Sequence, residues 1–239
     1  MLAPQPAPAG VGAWQSATVL DIRPETERVK TFRLGLSAPT PHLAGQHYLV
    51  RLTAPDGYRA QRSYSVATPS TDDAIELTVE RLPDGEVSTF LHDEVVVSDT
   101  LEVRGPIGGW FVWDGTTPAV LLGGGSGVVP LMAMLRLARR TPAQSLAHLI
   151  VSVRSPRELL YADEMTGPDV TIIYSRSTPE GSERGAGRIT SHDIVNVLHE
   201  DQTAYVCGSD GFAETASTLL VTNGILAENI RVERFGPSG

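Results

Sequence analysis

An antiparallel β-barrel followed by a parallel, doubly wound α/β unit is the fold class this sequence predicts, and three observations predict it. Between residues 14 and 112, short β-rich runs alternate apolar with polar positions and are separated by Pro and Gly. From residue 147 onward, short apolar runs alternate with stretches of helical spacing. At the junction, Ala119 to Leu122 form an apolar, partly β-branched run, Gly123, Gly124, Gly125, Ser126 and Gly127 follow, and Leu131, Met134, Leu135 and Ala138 then recur at helical spacing.

The expected order is a flexible tail over residues 1–13, the barrel over 14–115 and the α/β unit over 116–239. The tail has no basic region and no apolar core, so it is not read as a signal peptide. Strands are expected at 18–22, 31–36, 47–52, 74–80 and 100–104. One helix is expected at 86–92, because Leu82, Pro83, Asp84 and Gly85 make a turn and Glu86 places an acid near the positive helix end. In the second half, 147–153, 170–174, 204–206 and a last run at Ile230 and Val232 read as strands, with Asp163 and Glu164 falling in an intervening helix.

Composition narrows the possible functions. No apolar run reaches the roughly 18 residues of a membrane helix, so a cytoplasmic protein is expected, with no membrane partner. The formal net charge of −9 argues against nucleic acid as a partner. A single cysteine, Cys207, excludes an intrachain disulfide and an iron–sulfur cluster held by four thiolates. No metal site is expected, and a monomer is. Lys30 is the single lysine beside eighteen arginines, a bias that makes the choice of arginine over lysine uninformative and leaves only its placement.

Three stretches carry candidate chemistry. Glycines 123, 124, 125 and 127, with Ser126, remove side chains where backbone N–H groups would approach an anion at a helix N-terminus, which suits a diphosphate. Val128, Val129 and Pro130 stand where a Rossmann turn would place its third glycine, so a glycine-rich connector is the other reading. Arg62, Ser63, Tyr64 and Ser65 set a cation, an aromatic ring and hydroxyls along one extended segment. By themselves they read better as a surface arginine beside an ordinary strand tyrosine. Gly85, Glu86, Val87 and Ser88 offer a second helix start for phosphate.

Taken together, these motifs resemble those of the ferredoxin–NADP reductase superfamily over about residues 14–235. Arg62 to Ser65 match its Arg-x-Tyr-Ser motif, Gly85 to Ser88 its Gly-x-x-Ser turn, and Gly105, Pro106, Ile107 and Gly108 its Gly-Pro-x-Gly loop. The resemblance implies that Arg62 pairs with a flavin phosphate, Tyr64 stacks on the isoalloxazine and Ser65 bonds near N5. It places Cys207 and Gly208 against the nicotinamide and makes Glu233, two residues before Phe235, the acid beside the ring that covers the other flavin face. Gly109 precedes Trp110 and Phe111, which leaves open which ring closes the site or whether both are barrel core. Arg154, Arg176 and Arg188 follow strand ends where family members that select NADPH hold the 2′-phosphate; scattered solvated arginines are the alternative.

The implied function is an NADPH-dependent reductase, with FAD favoured over FMN and NADPH over NADH. Ser65 and Glu233 would act in hydride transfer, and a separate protein, such as a ferredoxin, flavodoxin or oxygenase component, would accept the electrons. Reduction of free flavins or ferric chelates, or service as a flavin subunit inactive alone, are the rival readings.

Overall fold

A computed structural model describes residues 12–69, 72, 74–199 and 201–235. The expected tail, as far as residue 11, lies outside them. Alternation in the first half does build strands: β1 (Trp14–Thr26), β2 (Val29–Leu36), β3 (His47–Thr53), β4 (Arg59–Ser65), β5 (Ile75–Glu80) and β6 (Thr100–Ile107). They form one antiparallel sheet in the order β4-β3-β6-β1-β2-β5. A bridge between Val66 and Leu77, with the Ala67 N–H donating to the Glu76 carbonyl at 2.9 Å, brings the two edges together and curls the sheet into a barrel. Helix α1 (Glu86–Asp93) adds Val87 and Leu91 to a core that includes Val19, Phe32, Leu77 and Val103.

The second half is a parallel sheet of β7 (Ala119–Gly124), β8 (Ala147–Val153), β9 (Val170–Tyr174), β10 (Thr203–Gly208) and β11 (Ile230–Arg234), in the order β11-β10-β7-β8-β9. Alternation along its strands feeds two cores. Leu121, Leu149 and Tyr205 join α2 (Val128–Arg140) on one face, whereas Val120, Ile150 and Val206 join α4 (Asp210–Thr222) on the other. The sheet is therefore covered on both sides, as a doubly wound sheet must be.

Ten of the thirteen residues of α2 are buried, which places this helix between the sheet and the barrel and not on the surface. The core around it takes in Ala44, Ala67, Phe111 and Trp113 from the first half, so the two halves share apolar packing. Each buried leucine or methionine there contributes about 1.5–3 kcal/mol.

Two connections differ from expectation. Between β8 and β9 there is no regular helix; the chain makes short 3₁₀ turns at Pro156–Glu158 and Ala162–Glu164. Proline opens the first, and Tyr161, at φ 54°, lies in the left-handed region before the second, so i→i−4 bonding cannot run through. Asp163 and Glu164 thus sit on a turn. Between β9 and β10 the helix is a single turn, α3 (Ser191–Ile194), capped reciprocally by Thr190 and Asp193.

Candidate functional site

Pairing with β3 sets the directions of the β4 side chains. Tyr64 lies opposite Tyr48 and Arg62 opposite Val50. Tyr48 and Val50 belong to the barrel core and Tyr64 packs partly against it, so Arg62 and Tyr64 share one face of the strand while Ser63 and Ser65 take the other. The exposed Arg62 guanidinium donates to the Gln61 carbonyl at 2.8 Å. Tyr64 is half-buried, and burial raises its phenol well above the ordinary range, so the ring stays neutral. Ser63 is exposed. Ser65 is 5% exposed, and its hydroxyl makes no hydrogen bond among the described residues.

Helix α1, packed beside β4, has Gly85 at its N-cap. The Ser88 hydroxyl donates to the Gly85 carbonyl at 3.1 Å and accepts from the Leu82 N–H at 3.2 Å. It closes the turn and is not left open for a phosphate. A side chain at Gly85 would meet that hydroxyl, since its Cβ would lie 2.2 Å away. What the turn does offer is the backbone N–H groups of Glu86, Val87 and Ser88, which a first helical turn leaves without acceptors. The Glu86 carboxylate itself is taken by the Tyr58 hydroxyl at 3.2 Å.

At the carboxyl ends of the parallel strands, Gly123, Cys207 and Glu233 stand in one row across β7, β10 and β11. Gly125, Ser126 and Gly127 form a single 3₁₀ turn leading into α2. Gly125 has φ +55° and open space before it. Gly124 and Gly208 are glycines for another reason: a Cβ on either would press into the ring of Phe212, at 2.6 Å and 2.8 Å. Phe212, in the first turns of α4, thus packs against the backbone of both glycines and was not singled out from sequence. Its place three residues after the turn at Gly208 and Ser209 is the signal that could have found it.

Cys207 is fully buried. Burial, then the neighbouring Glu233, push its thiol well above the ordinary value, so it is a small apolar wall and no nucleophile. Glu233 pairs with Cys207 and so faces the α2 side of the sheet, whereas Val232 packs on the α4 side. It makes no ion pair or hydrogen bond among the described residues, and burial lifts its carboxyl up to about 7. The Phe235 N–H donates to the Gly208 carbonyl at 2.9 Å, and its ring packs at the edge of the core that contains Ala67, Val128 and Cys207. Ala67 is two residues beyond Ser65, so the end of β4 and the ends of β10 and β11 converge on that core. Of the two rings after the Gly-Pro-x-Gly loop, Phe111 is core, edge-on to Tyr205 at 5.4 Å, while Trp110 is 64% exposed with the Arg231 guanidinium over it.

Arg154, Arg176 and Arg188 lie at the carboxyl ends of β8 and β9, toward the far edge of the same sheet. The Arg176 N–H donates to the Arg154 carbonyl at 2.9 Å, and the Gly187 N–H to the Tyr174 carbonyl at 3.0 Å, which draws the 185–188 loop beside the end of β9. Arg184 fixes that loop through Asp193 and the carbonyls of Gly185, Gly187 and Arg188. Among the described residues Arg154 has only an exposed contact to Glu158 at 3.8 Å. Arg176 and Arg188 have no carboxylate partner among the described residues.

These features fit two cofactors: N–H groups without acceptors at α1, an unpartnered hydroxyl at Ser65, and a left-handed glycine facing open space. Residues 16–112 match the oxidoreductase FAD-binding domain family and residues 121–218 the oxidoreductase NAD-binding domain family. The chain belongs to the ferredoxin–NADP reductase superfamily.

Among its relatives is the ferredoxin–NAD(P)(+) reductase component of a naphthalene 1,2-dioxygenase/salicylate 5-hydroxylase system of Ralstonia, 27% identical over 93% of this chain and 69% of that protein. Another is the glycine betaine monooxygenase reductase subunit of Chromohalobacter salexigens, 30% identical over 89% of this chain and 61% of that protein. The FAD/NAD-binding domain of a Vibrio cholerae nitric oxide dioxygenase shares the fold, with a TM-score of 0.82, 24% identity, and coverage of 93% of this chain and 99% of that one. The chain spans 51% to 69% of the first four curated relatives it matches. No described helix is long and apolar enough to cross a membrane.

The unpaired Glu233 carries a pH prediction. Its folded-state carboxyl, near 7, lies above the ordinary glutamate value of 4.5, so folding takes up a proton between those limits. The cost of burying the charge is absent below about pH 4.5 and full above about pH 7. Relative to wild type, Glu233→Gln is expected to melt higher at pH 8, with the gain fading toward pH 5. Thermal melts of flavin-free protein check this, and a pH-independent difference would contradict it.

Proposed function

We propose that this chain is an NADPH-dependent reductase that moves hydride from NADPH to FAD and passes electrons to a separate acceptor, such as a ferredoxin, flavodoxin or oxygenase component. One observation supports this most: the end of the first-half strand bearing Ser65 and the second-half strand ends bearing Cys207 and Glu233 meet at one apolar core, with neither Ser65 nor Glu233 hydrogen-bonded through its side chain among the described residues. Bound FAD would supply an electron sink for two electrons at a time, with release singly or in pairs.

The remaining tasks fall to this chain's own residues. Arg62 and the N–H groups of α1 hold flavin phosphate. Tyr64 presents a neutral face for stacking. Ser65 donates a hydrogen bond near the reacting nitrogen, and Phe235 shields the opposite face until nicotinamide displaces it. The turn over 123–127 receives the coenzyme diphosphate, with Cys207 and Gly208 leaving room for the nicotinamide and Glu233 beside it. Arg154, Arg176 and Arg188 surround the 2′-phosphate. Relatives named as reductase components of oxygenase systems support a protein acceptor.

Anaerobic stopped-flow mixing with NADPH and with NADH, followed by a screen of acceptors, tests the reading. Bleaching of the flavin by neither coenzyme would refute it. Because Arg176 and Arg188 lack carboxylate partners, NADPH is expected to be favoured at least about tenfold in kcat/KM, the worth of one surviving charge-assisted contact, and less so as salt rises. Arg176→Ala should raise KM for NADPH, leave NADH kinetics near wild type and change kcat little. Equal losses with the two coenzymes would refute the 2′-phosphate assignment alone.

A further inference from the structure

Helix α2 begins where the coenzyme turn ends, and one of its side chains reaches across to the flavin-side strand. Arg136 is 7% exposed on a helix whose other buried residues are apolar. Burying a guanidinium is costly unless every direction is partnered, and its partners come from both halves. Its Nε and Nη2 donate to the two oxygens of Glu164 at 2.9 Å and 2.5 Å. Its Nη1 donates to Glu76 on β5 at 2.8 Å and to the Ala67 carbonyl at 2.9 Å.

A second strut lies alongside. The guanidinium carbon sits 5.1 Å from the Tyr161 ring centroid. The Tyr161 hydroxyl pairs with Thr78 at 2.6 Å, and Thr78 with Thr31 at 2.7 Å. Glu25 closes the chain, accepting from Thr31 at 2.8 Å and from the Tyr161 N–H at 3.0 Å.

We infer that Arg136 is a positioning residue for hydride transfer: it locks the helix carrying the coenzyme turn to the backbone two residues beyond Ser65. The inference rests on the hydride-transfer reading above. Adhesion alone does not explain the arrangement, because the two halves already share an apolar core and a buried ion pair is often no more stabilising than apolar side chains of equal volume. A planar fork with fixed donor directions does what apolar packing does not: it fixes distance and angle. Hydride transfer is sensitive to both, a misplacement of about 1 Å costing on the order of a hundredfold.

Two variants test it as flavin-loaded protein. Arg136→Met combined with Glu76→Gln and Glu164→Gln removes all three charges while keeping volume, so no carboxylate is stranded. Arg136→Lys keeps the charge but loses the fork. Both are expected to retain FAD and to bind coenzyme within about threefold of wild type. In the triple variant the amides of 65–68 should exchange hydrogen faster, the long-wavelength charge-transfer absorbance on mixing with coenzyme should weaken, and the limiting rate of flavin bleaching should fall about 30-fold or more. Arg136→Lys should fall between. Wild-type absorbance and bleaching rate in both variants, even with a lowered melting temperature, would overturn the inference and leave Arg136 as structural glue. Failure of the wild type to bleach with either coenzyme would instead refute the reading on which it rests.

Discussion

Gly127→Ala is expected to lose about 3 kcal/mol or more of stability, a drop in Tm of about 6–12 °C for a chain of this length. Conformational freedom is not the reason, because Gly127 has φ −62° and ψ −10°, which any residue adopts. The reason is what the new methyl meets. Its Cβ would lie 2.3 Å from the Cys207 carbonyl oxygen, 2.5 Å from that carbonyl carbon and 2.6 Å from the Gly208 nitrogen. All three are backbone atoms at the end of β10, where Cys207 is held opposite both Gly123 and Glu233. No rotamer change relieves the overlap, so α2 must move away from the sheet. Circular dichroism melts measure it, and a Tm within 2 °C of wild type would show that the turn is looser than its geometry implies.

Gly125→Ala separates packing from binding within the same turn. With φ +55° and nothing near its Cβ position, alanine there costs about 1 kcal/mol of backbone strain, or about 2–4 °C. Coenzyme affinity should suffer more, since the methyl enters the space proposed for the diphosphate.

Much of the architecture was legible because its signals are local. Alternation at 47–52 and the apolar run at 147–153 became strands with little change of limits, and the turn at 82–85 with Glu86 marked α1. The row Gly123, Cys207 and Glu233 was legible only as separate motifs, since parallel pairing joins residues far apart in sequence. Arg136 could not be read at all. Its acids, Glu76 and Glu164, lie 60 and 28 residues away, so no local pattern connects them to it. The helix expected around Asp163 is broken by Pro156 and by the left-handed backbone at Tyr161, and the latter is invisible in composition. Ser88 shows the finer limit: a motif identifies the residue, but its hydroxyl was already committed to closing the turn.

Arg62→Ala is expected to purify with little flavin while folding normally. The guanidinium is exposed and donates only to the carbonyl of its neighbour Gln61, so its loss should change stability by no more than about 0.5 kcal/mol, as for other surface positions. In the proposed complex it is the fixed charge opposite the flavin phosphate; the N–H groups of α1 contribute dipoles and the Ser88 hydroxyl is occupied. A charge-assisted contact of this kind contributes about 1.5–3 kcal/mol, so flavin affinity should fall about 10- to 150-fold. Arg62→Lys should recover part of it, since an ammonium keeps the charge but not the two-pronged geometry. Raising salt should weaken wild type more than Arg62→Ala, because only wild type has the ion pair to screen. Fluorescence titration of flavin-free protein with FAD, paired with a thermal melt, measures both quantities. Equal flavin affinity in Arg62→Ala and wild type would remove Arg62 from the site; lost affinity with an equally large loss of Tm would make it a folding residue and shift the phosphate contact onto α1 alone.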